Sequence, residues 1–318
     1  MKIGRAAISA VAAVIILSGG PIGLAAAQAP DAAIESEDYT PEEMEAAYRA
    51  FAEEILQESP ARHGEVILSG APARLQVSDG FDFYDKAGAR KILEDIWGNP
   101  PDDTVLGMIF PAGVSPVDAA WGAVLTYEAS GYVSDDDAAG IDYAELLQDM
   151  QKATREANKE RSRLGYATVE LRGWAERPRY EAGTHRLYWA KDLIFSDSEG
   201  VGTLNYDMRL LGRSGVLSVN FIGTIDALEE VRAAAPDVLG MAAFNPGQTY
   251  ADFQPGDKTA GYGVAALIAG GAGAAALKKA GVLTVLLALL KKGWILIPLA
   301  LGGLWKMITG LFRRRQAP

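Results

Sequence analysis

Cysteine is absent from all 318 residues. That excludes disulfides, thiolate metal sites and thiol catalysis, and it leaves the fold to be held by its apolar core. Histidine is nearly absent too, with His63 and His185 the only two. They have no helical metal-ligand spacing, so a zinc site would need both plus carboxylates from elsewhere; no metal or cofactor is expected. A G-x-S-x-G elbow is missing, since Gly212-Arg213-Ser214-Gly215-Val216 has glycine and valine in the wrong places. No internal repeat recurs at a fixed period. The last absence is positional: from Lys258 to Pro318 there is no acidic residue.

That stretch instead holds short Lys and Arg clusters between apolar runs. Gly261 to Leu277 is uncharged, Ala280 to Leu290 is more apolar still, Gly293 to Trp305 follows Lys291-Lys292, and Arg313-Arg314-Arg315 lies near the end. The pattern belongs in or against a bilayer. Residues 258–318 therefore read as a C-terminal membrane anchor of two transmembrane helices, although the first run reaches only about 26 Å, barely a span. The alternative is one span, followed by segments lying at the inner surface with their cations among anionic headgroups. At the other end, Lys2 and Arg5 precede the apolar Ala6–Leu17 and the small Ala25-Ala26-Ala27. This is the layout of a secretory signal peptide, residues 1–27, with an acidic, disordered lead-in over 28–39.

All 41 acidic residues fall within residues 28–257. The resulting strongly negative domain, residues 40–257, should be repelled by nucleic acid and by anionic headgroups. Nucleic acid is excluded as a partner. The expected partners are the lipid bilayer and another envelope or membrane protein. The expected location is the periplasmic side of a bacterial inner membrane.

Within the domain, Thr40-Pro41-Glu42-Glu43 opens a helix that Ser59-Pro60 ends. Glu65–Leu68 and Ala73–Val77 read as short strands, Ala87–Trp97 as an amphipathic helix, and Val105–Phe110 and Ala123–Tyr127 as strands. Asp142 caps a long, charged helix to about Arg163. Thr168–Trp174 and Arg186–Phe195 alternate as strands, joined by turn residues around Arg177-Pro178-Arg179-Tyr180. Thr224 starts a short helix that stops before Pro236.

The sharpest structural signal is a hairpin around Gly212-Arg213-Ser214-Gly215. One register pairs Leu211 with Val216, Leu210 with Leu217, Met208 with Val219 and Tyr206 with Phe221. It leaves Arg209 opposite Ser218 and Asp207 opposite Asn220 on a polar face. The fold class is α+β, an antiparallel sheet packed with amphipathic helices.

Motif matches elsewhere are weak. Gly261-Tyr262-Gly263-Val264-Ala265-Ala266 fits a dinucleotide fingerprint but lacks the downstream acid. Gly256-Asp257-Lys258-Thr259 lacks the Gly-Lys pair of a phosphate loop. Asp135-Asp136-Asp137 with Gly140 and Asp142 lacks two ligands of a calcium loop, and reads as a solvated acidic turn before a helix.

A candidate ligand or partner surface comprises Trp174, Tyr188, Lys191, Asn205, Asp207, Arg209 and Arg213, with Trp189 among them, because aromatic and charged residues alternate on neighbouring strands. The plainer account, which the pattern favours, has Trp189 and Tyr206 in the core and the charges paired across strands.

These same residues carry a resemblance. Gly173-Trp174-Ala175-Glu176 with Pro178 and Tyr180, Leu187-Tyr188-Trp189-Ala190-Lys191, Leu204-Asn205-Tyr206-Asp207, Leu211-Gly212-Arg213, Tyr250-Ala251-Asp252-Phe253 and Gly256-Asp257-Lys258 together resemble the bacterial family of uncharacterised membrane-anchored proteins catalogued as domain of unknown function 2167. The resemblance implies a location and an architecture, and no activity, substrate or catalytic residue. The function expected is a membrane-anchored, non-catalytic binding or interaction module. A structural or envelope-stress component acting through its tail, and a hydrolase using carboxylates or a divalent ion, stay open as alternatives.

Overall fold

The computed structural model describes residues 40–99, 101–163 and 167–270. The expected signal peptide, the lead-in and the tail beyond 270 lie outside the described residues. Helix α1 (Pro41–Gln57) begins where the capping box requires: Thr40 accepts from the Glu43 amide, and Glu43 reaches back to the Thr40 amide at 2.8 Å. Strands β1 (Gly64–Ile67), β2 (Ala73–Val77) and β3 (Phe81–Asp85) follow. Helix α2 starts at Lys86–Arg90 under an Asp85 side-chain cap and continues as wider π-helical turns over Lys91–Ile96. Next come β4 (Val105–Pro111), β5 (Trp121–Glu128), β6 (Tyr132–Ser134) and the long α3 (Tyr143–Arg163). Strands β7 (Val169–Glu181), β8 (Arg186–Phe195), β9 (Gly202–Leu211) and β10 (Val216–Thr224) form consecutive antiparallel pairs. Helix α4 (Leu228–Gly240), β11 (Ala242–Phe244), β12 (Thr259–Gly263) and α5 (Val264–Ala269) complete the order.

Seven strands make one antiparallel sheet in the order β3-β4-β5-β10-β9-β8-β7. Sheet β1-β2-β11 is also antiparallel, and β12 pairs with β6 in parallel. The chain is thus a mixed α/β structure with antiparallel sheets and several helices. One face of the large sheet (Leu204, Tyr206, Met208, Leu217, Phe221) packs against α4 and the small sheet, in one apolar cluster with Leu75, Val231 and Leu239. The opposite face carries two separate clusters. At one end Met108, Phe110, Val124 and Ile222 meet α1 and α2 through Ala52, Ile92 and Ile96. At the other, Leu187, Trp189, Leu211 and Val216 meet Tyr250, Val264 and Leu267.

The hairpin register is the one its alternation dictates: Leu210–Leu217, Met208–Val219, Tyr206–Phe221, Arg209–Ser218 and Asp207–Asn220 are partners. Tyr206 and Phe221 touch edge to face, their ring centroids 6.0 Å apart. The structure departs from the pattern in one respect. Every residue of β9 is buried, so the polar face is covered too.

Other departures have identifiable causes. Strand β7 runs through Pro178 to Glu181. It can do so because it is an edge strand, where a missing N–H costs no ladder bond, and because it is bulged there. Pro236 lies inside α4, which burial of Ala235, Val238 and Leu239 against the sheet carries past it. Strand β3 forms where the sequence suggested none.

The ordered fold also continues beyond residue 257. Strand β12 lies beside β6, and Val264, Leu267 and Ile268 of α5 are essentially inaccessible to solvent. The first nine residues of the run expected to enter the bilayer, 261–269, therefore belong to the folded domain. Among the described residues no helix is long and apolar enough to cross a membrane.

Candidate functional site

Between the two apolar clusters on the α1–α2 face, a polar band crosses the sheet. Strand alternation builds it. Lys191 on β8 is the Cα partner of Asn205 on β9, Asp207 and Arg209 recur at two-residue steps, and Asn220 and Ser218 stand opposite them on β10. Thr126 on β5 extends the row as the partner of Ser218. Thr126 and Ser218 are half-buried, whereas Lys191, Asn205, Asp207 and Arg209 are buried. The band is therefore buried along β8 and β9 and becomes partly exposed at its β5–β10 end.

Asp207 is its centre and is fully inaccessible. Arg209 Nη2 lies 2.9 Å from its Oδ1, and Asn220 Nδ2 donates to the same oxygen at 2.9 Å. Lys191 Nζ stands 3.0 Å from Oδ2 but off its hydrogen-bonding direction, an ion pair rather than an aligned hydrogen bond. Asn205 Nδ2 donates to Asn220 Oδ1 at 3.0 Å, which fixes the Asn220 amide so that its NH2 faces Asp207. The Arg209 guanidinium also lies over the Trp189 ring, 5.0 Å from its centroid. Burial by itself would push the Asp207 carboxyl up. The charges of Lys191 and Arg209, with the hydrogen bond from Asn220, outweigh it and hold the group below the ordinary carboxylate range.

Two cations thus face one carboxylate, which leaves a positive excess in a dry place. The Trp189 Nε1–H and Asn205 Oδ1 find no partner among the described residues. Tyr262 of β12 comes down near the Arg209 end, its phenol donating to Glu128 at 2.5 Å. Burial and that bond hold the phenol well above its usual range, while the nearby Arg209 charge opposes the rise.

The seven residues expected as one surface separate into four places. Lys191, Asn205, Asp207 and Arg209 come together, but as a buried network rather than a surface, because covering elements close both sheet faces. Trp174 is half-buried at the rim of the same face, its Nε1 donating to the Tyr143 carbonyl at 3.2 Å. Tyr188 points to the other face, beneath the Arg179 guanidinium at 4.6 Å. Arg213 leaves the hairpin turn and grips Asp257 with two bonds of 2.7 and 3.0 Å. Sequence reasoning put Asn220 on the polar face but not in the site, and it missed Thr126. The period-two rows of β5 and β10 carry both.

Comparison with solved structures gives two distant likenesses. Cyanobacterial PsbP (CyanoP) from Synechocystis sp. PCC 6803 is 10% identical, with a TM-score of 0.35 over 58% of this chain and 94% of that one. A point mutant of the protein Mog1 is 11% identical, with a TM-score of 0.33 over 57% and 96%. A comparison with curated proteins finds no match. The family model described as "Protein of unknown function (DUF2167)" matches residues 60–302, well over half of the sequence, and the chain belongs to that family.

Proposed function

We propose that the protein is a non-catalytic binding or interaction module, held at the bacterial inner membrane by its C-terminal tail with the domain on the periplasmic side. The observation that carries the binding half is the polar band. Buried ions are costly unless fully matched, and here a cationic excess and two unpartnered polar atoms lie in a buried band whose end at Thr126 and Ser218 is partly exposed. An acidic group of a ligand or envelope partner entering there would meet Lys191 and Arg209. Support for the anchoring half lies in the acid-free, basic and apolar sequence after Asp257 and the signal-like start.

Two measurements test the proposal. An alkaline-phosphatase-type reporter fused at residue 250 should be active, and an inactive fusion there refutes the placement. Crosslinking of the full chain in native membranes should capture a partner that Ser218→Trp, which blocks the partly exposed end of the band, no longer captures. Identical capture by both chains refutes the site.

A further inference from the structure

Away from the polar band, three distant chain segments bring one carboxylate, two phenols and an imidazole together. Asp135 follows β6, Tyr180 lies on β7, His185 is in the β7–β8 turn, and Tyr250 comes from the segment between β11 and β12. Tyr180 Oη donates to Asp135 Oδ2 at 2.6 Å and lies 3.1 Å from His185 Nδ1. His185 Nδ1 is 3.6 Å from the same Asp135 oxygen. Tyr250 Oη donates to the other oxygen, Asp135 Oδ1, at 3.0 Å, and its ring stacks on His185 with centroids 4.0 Å apart.

We propose that Asp135, Tyr180 and His185 are the protein ligands of a metal-ion site, and that its ion is ferric iron. The three donor atoms form a triangle small enough for one ion. A point about 1.8 Å from each lies in its plane, and an ion about 0.8 Å above would stand at the ~2.0–2.1 Å of first-row metal bonds to nitrogen and oxygen. Tyr250 holds the second carboxylate oxygen and braces the imidazole ring, the orienting role that groups behind metal ligands perform.

The His185 backbone adds a separate observation. Its φ of 51° is a left-handed conformation that side-chain-bearing residues seldom adopt, and such residues persist where their surroundings over-determine them, often at functional sites. The side chains of Asp135 and His185 are 26% and 30% exposed, which leaves room for water or a small chelator on the open side.

Among the described residues no three His, Cys, Asp or Glu side chains gather to hold a metal. Here the third donor is a phenol. That choice of donor sets the ion, because a phenolate beside a carboxylate supplies two hard negative charges that suit a small trivalent cation better than zinc. In the metal-free cluster the Tyr180 phenol keeps its proton, since burial and the Asp135 bond hold its pKa well above the usual range. Ion binding would exchange that proton for metal.

The test uses metal-free full-length protein in detergent micelles, titrated with ferric nitrilotriacetate at neutral pH. The expected result is a single ferric ion per chain, a visible phenolate-to-iron absorption band and proton release. Tyr180→Phe should abolish the band. Tyr250→Phe should keep it while weakening binding roughly 10- to 100-fold. Tyr127→Phe, whose hydroxyl meets Ser214 elsewhere, should change nothing. Melting curves of the metal-free variants separate lost binding from lost fold. A wild-type protein that develops no band, a band that survives Tyr180→Phe, or colourless zinc taken in preference to iron overturns the assignment.

Discussion

Replacing Asp207 with asparagine should cost more stability than any other single change in the polar band. The side chain is fully inaccessible, and its partners Lys191 and Arg209 are exposed by only 4% and 7%. Removing its charge strands two cations in a dry environment, and breaking a buried pair from one side costs about 3–5 kcal/mol. In a domain of this size that lowers the melting temperature by about 6–20 °C.

Lys191→Met is the informative contrast. It removes the surplus cation, leaves Asp207 and Arg209 as a balanced pair, and replaces an ammonium with an apolar group of similar length. Its cost should stay below about 1.5 kcal/mol. The assay is thermal and denaturant unfolding of the full chain in detergent, run in parallel for both variants. Equal losses, or an Asp207→Asn variant within about 1 kcal/mol of the wild type, would refute the electrostatic account.

Acid titration gives an independent check. The native carboxyl is depressed, so its contribution is fully present above the unfolded-state value of about 3.9 and disappears as pH falls through the lower native value. The pH dependence below about 4 should therefore be shallower in Asp207→Asn than in the wild type.

Tyr206→Ala should cost about 3–5 kcal/mol, the usual loss for deleting a large buried aromatic, read as a shift in denaturation midpoint at unchanged slope. Gly131→Ala should loosen the junction of β6 with the segment leading to β12, because φ there is +99° and a Cβ would meet the Lys258 carbonyl at 2.5 Å. Limited proteolysis should then cleave between residues 245 and 263 well before the wild type is cut. Arg213→Ala should shift the denaturation midpoint only slightly, since the ion pair with Asp257 is partly solvated.

How much of this was legible in the sequence depends on how far apart the interacting residues lie. The β9–β10 hairpin could be read residue by residue, because a short turn and a two-residue alternation leave one register that sorts apolar from polar side chains. The same alternation marked Asp207 and Arg209 as neighbours but gave no sign that they are buried. The elements packed on that face, α1, α2, α3, β12 and α5, are scattered along the described chain. Asp135-Asp136-Asp137 looked like a solvated turn, yet each carboxylate has a specific partner. Asp135 receives Tyr180 and Tyr250, Asp136 receives Ser134, and Asp137 accepts from the Val264 and Ala265 amides that open α5. Apart from Ser134 with Asp136, two residues apart, none of those contacts leaves a local pattern. The Gly- and Ala-rich run after Ala260 was ambiguous for another reason, since small apolar residues suit a packed core helix as well as a lipid-facing one.

The weaving of residues 245–269 into the sheet changes what kind of tether the tail can be. An anchored domain usually hangs from a loose strap of polar residues and samples many orientations. Here the chain leaves from inside the core: Tyr250, Val264, Leu267 and Ile268 are buried, and Arg213 clasps Asp257 beside them. In the proposed placement the tail would leave the domain from packed structure at Gly270 and not from a linker after Asp257. A pull on the tail would be felt first at α5 and then at β12 and Tyr262, which reaches toward Arg209 and the charged interior.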